Sequence, residues 1–64
     1  MNFKKVEKII KRNGWHLVRI NGSHYQYKKV GNPNTVVVPN HNGADLTIGV
    51  IKSIEKSTGL SLRK

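Results

Sequence analysis

The chain has 64 residues, with twelve Lys and Arg against three Asp and Glu, for a net charge of +9 and a pI near 10.4. That length is near the lower limit for folding without a disulfide or metal, and the absence of cysteine excludes a disulfide framework, a thiolate metal site and a cysteine nucleophile. No run approaches the ~18 apolar residues of a membrane span and the basic N-terminus lacks a signal-peptide core, so the expectation is a cytoplasmic protein, away from membranes, with a polyanionic partner.

The first element is expected to be a helix from Asn2 to Asn13. At about 100° per residue, Phe3, Val6, Ile9 and Ile10 fall on one face, and Lys4, Lys5, Lys8, Lys11 and Arg12 form a cationic ridge on another. The ridge is either a solvated face or a direct RNA contact. Asn2 suits the N-cap, Glu7 and Lys11 form a favourable i,i+4 pair, and Gly14 stands where the chain needs positive φ to leave the helix.

A strand follows from Trp15 to Ile20. Its apolar residues, Trp15, Leu17, Val18 and Ile20, occupy both parities, so one face is expected in the core and the other partly covered. Asn21-Gly22 then reads as a tight hairpin turn, because both residues tolerate positive φ. The second strand, Tyr25 to Val30, sets Tyr25, Tyr27 and Lys29 against His24, Gln26, Lys28 and Val30, and the pattern alone does not say which side is buried. Gly31-Asn32-Pro33-Asn34 is a second turn cluster, Thr35 to Val38 a β-branched third strand, and Pro39 its stop.

The segment from Asn40 to Leu46 is a polar loop containing His41 and Asn42-Gly43. Thr47 caps a last helix running to Thr58, with Ile48, Val50, Ile51 and Ile54 as its apolar face. Gly59 ends it, and Leu60 and Leu62 fold back onto the core. The order α-β-β-β-α implies an α+β fold, like that of the double-stranded-RNA-binding domain. A three-stranded antiparallel sheet carries both helices on one face and leaves the other open.

His24, at the hairpin turn, is the residue best suited to chemistry. Histidine is the one side chain whose unperturbed pKa lies near neutrality, and RNA cleavage needs a proton taken from the 2′-hydroxyl and one given to the leaving 5′-oxygen. His24 can serve as base or acid. Arg19, Lys28 or Lys29 can supply a cation for the phosphorane, and the Gly22 and Ser23 N–H groups can donate to a phosphate oxygen. Gly22 and Ser23 equally have a purely structural reading as turn residues. His41 is either a solvated loop histidine or a second proton-transfer group, and His16 is a strand-surface residue. The spacing of the three histidines matches no metal motif, so no metal and no other cofactor is expected. A serine nucleophile paired with its neighbour His24 fails, because adjacent strand residues point to opposite faces.

Gly14-Trp15, Val18-Arg19, Gly22-Ser23-His24-Tyr25, Val38-Pro39-Asn40-His41, Gly49 to Ile54 and Thr58-Gly59-Leu60-Ser61 together resemble the HicA toxin family, in order and spacing. The likeness covers nearly the whole chain, as one domain spanning residues 1–64. Trp15 stands where phenylalanine is more usual, and Val50 where threonine is common. The resemblance implies an mRNA interferase, the toxin of a type II toxin–antitoxin pair, which cleaves RNA, inhibits translation and is neutralised by a HicB-type antitoxin. It also implies that His24 is the catalytic histidine. The rival reading is a non-catalytic basic module that binds RNA or DNA, and the charge disfavours a purely structural interaction protein.

Overall fold

The computed structural model describes residues 1–41 and 43–63, so the Asn42 half of the expected Asn42-Gly43 loop pair lies outside the described residues. Five elements follow in the expected order: α1 (Phe3–Arg12), β1 (His16–Asn21), β2 (His24–Lys28), β3 (Val36–Pro39) and α2 (Ile48–Thr58). The strands form one antiparallel sheet in the order β1-β2-β3. The architecture is the α+β arrangement expected, compatible with a double-stranded-RNA-binding-domain-like fold.

Local chemistry sets the helix ends. The Asn2 side chain accepts the Lys5 N–H at 3.0 Å, and the Thr47 hydroxyl accepts that of Val50 at 3.2 Å. Gly14 (φ +95°) and Gly59 (φ +75°) take the left-handed conformation that releases the chain after each helix. In α1, Phe3, Val6 and Ile10 are buried and Ile9 packs beside them, while all five cations of the ridge are exposed. Lys11 reaches Glu7 at 3.5 Å.

Register decides which face of the sheet is the core. Tyr25 pairs with Ile20 and Val38, and Tyr27 with Leu17 and Val36, so these six side chains share one face. Tyr27, Val36 and Val38 are fully buried there with Trp15, Ile51, Ile54 and Leu62. Tyr25 meets the Phe3 ring edge-on, with centroids 4.8 Å apart. The Tyr27 hydroxyl donates to the Glu7 carboxylate, tying the sheet to α1. Burial, with Glu7 beside it, raises the Tyr27 pKa far above the ordinary phenol range and keeps that donor protonated.

Four expectations need correction. The first concerns β1, which begins at His16, leaves Trp15 buried just before it, and is exposed on both faces. Both helices pack on β3, so β1, at the far edge, is only thinly covered: Leu17 and Ile20 face the helical side yet are 36% and 51% exposed. A β-bulge between Leu17 and Arg19 also explains why the apolar residues fall on both parities, since the extra residue inverts the alternation.

Second, Ile48 is 57% exposed. Each three-residue step in a helix drifts by roughly −60°, so Ile48 stands about 120° around the axis from Ile54, outside the contact stripe. Third, Lys29 and Val30 lie past the end of β2. Fourth, β3 begins at Val36 and takes in Pro39 as its last residue.

Candidate nucleic-acid interface

The hairpin turn falls one residue later than the Asn-Gly signal indicates. Asn21 is the last residue of β1 and pairs with His24, so the two turn residues are Gly22 and Ser23. Gly22 has φ +63°, the positive φ that glycine supplies at the first central position of a tight hairpin, and open space where a Cβ would stand. Backbone conformation, not crowding, demands the glycine.

The register that buries Tyr25 and Tyr27 puts His24, Gln26 and Lys28 on the open face. Their partners Asn21, Arg19 and His16 join them from β1, with Val37 and Pro39 from β3. One surface therefore carries His24, Arg19 and Lys28, all exposed. It carries no carboxylate. Glu7 and Glu55 belong to the helices and Asp45 to the loop before α2. Glu7 is engaged by Tyr27 and Lys11, and Glu55 by Leu62 and Arg63. The positive potential of the open face is thus undiluted by acids of its own sheet.

Lys29 is elsewhere. Its aliphatic stem runs beside Gly14, where an added Cβ would stand 3.3 Å from Lys29 Cε, placing its cation with the C-terminal end of α1 rather than with His24.

The structure brings two further residues to the turn, Asn40 and His41, from the segment after β3. The Asn40 N–H donates to the Ser23 carbonyl at 2.7 Å, extending the β2–β3 pairing past His24 and Pro39. The His41 Nε2 lies 3.2 Å from the Ser23 Oγ. Either the ring N–H donates to the hydroxyl oxygen, or the hydroxyl donates to the bare nitrogen. Asn21, expected as a turn residue, instead ends β1 directly across from His24. A two-residue loop at Gly22-Ser23 implies that pairing in sequence, whereas nothing in sequence signals the contact across 18 positions.

A serine-nucleophile assembly also needs a third group to orient the base, and among the described residues none hydrogen-bonds the other nitrogen of His41. Nor do the described residues contain a group of three or more His, Cys, Asp or Glu side chains able to hold a metal ion. A hollow lined by Asn2, Phe3, Lys4, Glu7, Asn40 and Gly43 contains no open-face residue. The candidate interface is an exposed, charged strand surface with an imidazole at one corner, which suits a charged polymer. A family model described as the HicA toxin of bacterial toxin-antitoxin matches residues 3–60 of the chain. No curated protein matches it.

Proposed function

The chain belongs to the HicA toxin family of bacterial toxin–antitoxin systems, and from that premise we propose that it is an endoribonuclease, an mRNA interferase acting through His24. One observation carries the reading. His24 is exposed on an acid-free sheet face that also presents Arg19 and Lys28, at a turn whose Ser23 is held by Asn40 and His41.

The chemistry asked of this surface is modest. As the 2′-oxygen attacks phosphorus and the bond to the 5′-oxygen breaks, one proton leaves the first oxygen and one arrives at the second. His24 moves one of them. Arg19 and Lys28 stabilise the charge on the phosphorane oxygens, and the N–H groups of Gly22 and Ser23 offer further donors. RNA brings its own nucleophile, so no metal is needed to generate one. Labelled RNA incubated with the purified protein in EDTA should be cut, and intact RNA would end the reading.

A non-catalytic RNA- or DNA-binding module is the alternative. One observation favours it: among the described residues nothing hydrogen-bonds the His24 ring. Under that reading His24 only donates to phosphate, and binding without cleavage is the outcome in the same assay.

Toxin–antitoxin pairing calls for a neutralising protein. The reading here is a HicB-like antitoxin that presents carboxylates to the cationic face, since opposite potentials speed association and fix register, and covers His24. Trp15 and Tyr27 are core and unavailable to it. Amide exchange of residues 21–28 should slow when the product of the neighbouring reading frame binds. Inhibition that leaves that turn unprotected would show blockade at a distance. Among the described residues no helix is long and apolar enough to cross a membrane, and a protein acting on mRNA belongs in the cytoplasm.

A further inference from the structure

His24 follows a two-residue turn, and its ring has no hydrogen bond of its own among the described residues to aim it. What constrains it comes through the backbone, from its ladder partners Asn21 and Pro39 and from the neighbouring Ser23. That neighbour is tethered twice to the segment after β3: by main chain, Asn40 N–H to the Ser23 carbonyl at 2.7 Å, and by side chain, Ser23 Oγ to His41 Nε2 at 3.2 Å.

The main-chain tether continues a ladder that would form whatever residue stood at 41. The side-chain tether exists only because an imidazole and a hydroxyl meet there. Both partners are wholly or partly accessible, so their pairing is not a by-product of core packing.

We propose that His41 is a positioning residue: its imidazole holds the Ser23 hydroxyl, fixes the Gly22-Ser23 turn against the segment following β3, and thereby sets the orientation of His24 on the open face. The inference rests on the reading of His24 as the proton-transfer group. It assigns His41 no proton of the substrate. Displacing a reacting group by a fraction of an ångström lowers turnover without removing the cations that bind the polymer, so the cost falls on kcat rather than KM.

The test is a cycle of four proteins: wild type, His41→Ala, Ser23→Ala and the double variant. Each is measured for kcat and KM on one RNA oligonucleotide and for amide exchange at residues 22–24. Each single change should lower kcat roughly ten-fold, with KM within about two-fold, and the double variant should fall no further than the worse single. His41→Gln restores most of the lost rate, because an amide can both donate to and accept from the hydroxyl but cannot shuttle a proton. Exchange at residues 22–24 should quicken in His41→Ala and recover in His41→Gln.

Independent, multiplying losses would overturn the proposal, because His41 would then not act through Ser23. So would a His41→Gln protein as inactive as His41→Ala, which would make the imidazole itself a proton-transfer group. Should the wild type prove unable to cleave RNA, the catalytic reading of His24 falls alone. The tether is then judged on exchange: unchanged rates at residues 22–24 in His41→Ala overturn it, and quickened rates support it.

Discussion

The two faces of β2 show how one five-residue strand divides between holding the protein together and presenting a cationic surface to solvent. Tyr25 and Tyr27 point into the helical layer, where Tyr27 is fully buried, aligned between Leu17 and Val36, and bonded to Glu7. His24, Gln26 and Lys28 point the other way, into a face without a carboxylate. In so small a chain the core has no spare residues, so almost any loss on the first side is a loss of stability. On the second side a side chain can change with little effect on folding. Substitutions on the two faces should therefore be separable, activity from one and stability from the other.

The largest expected effect tests that separation directly. His24→Ala should lower RNA cleavage by roughly 10²- to 10⁴-fold while leaving thermal unfolding where it was, because an exposed imidazole contributes little packing. Trp15→Ala should do the opposite. It removes one of the largest buried side chains and should cost about 3–5 kcal/mol, much of the stability such a domain possesses. A His24→Ala protein that melts much earlier than wild type would break the comparison, for His24 would then be part of the scaffold.

Next comes Tyr27→Phe, which keeps the ring and removes only the hydroxyl. Glu7 loses a charge-assisted bond, worth about 1.5–3 kcal/mol, but retains Lys11. Unfolding should come earlier, and the cleavage rate of the folded protein should not change. A fall in cleavage with unaltered stability would mean that the buried face communicates with the open one.

Much of this division was legible in the residues and some was not, for identifiable reasons. The caps Asn2 and Thr47, the terminators Gly14 and Gly59, and the order of elements depend on local preferences, and local preferences are visible in sequence. The sidedness of β2 was visible as alternation, but its polarity depended on where the helices sit. In β1 one inserted residue near Val18 scrambled the alternation, and the strand's edge position left Leu17 and Ile20 exposed despite their chemistry. The Asn-Gly signal marks the turn one residue early, because it is strong only when both residues are central. His24 stands out in sequence by its position at the turn and by the family likeness. His41 could not be connected to Ser23, since their contact is made by β2–β3 pairing.

The comparison sharpens at neighbouring lysines. Lys28 pairs with His16 on the open face, whereas Lys29 leaves the strand and lies beside Gly14. If RNA tracks along the open face, Lys28→Ala should flatten the slope of log affinity against log salt by about 1, by releasing one fewer counterion. Lys29→Ala should leave the slope almost untouched. Equal losses would extend the footprint over the C-terminal end of α1 and give Lys4, Lys8, Lys11 and Arg12 of the cationic ridge a role in binding.

The smallest expected effect lies on α2, away from the strands of the open face, at Glu55. Its carboxylate accepts the Leu62 N–H at 2.8 Å and pairs with Arg63 at 3.1 Å, clasping the chain end over the core that Leu62 helps to fill. The Leu62 hydrogen bond, aided by Arg63, holds the carboxyl below the usual glutamate range. A folded-state value below the unfolded one contributes stability that is present above the ordinary value, about 4.3, and is lost as pH falls through the lower folded one. Thermal stability should therefore hold from neutrality to about pH 5 and decline below roughly pH 4, with amide exchange at Leu62 quickening in step. Glu55→Gln should begin slightly less stable at pH 7 and decline less steeply in acid, because its amide has no proton to gain. RNA cleavage by the folded variant at pH 7 should match wild type. If it does not, although Leu62 remains protected, the clasp reaches the open face through the core and the two faces of β2 are not independent.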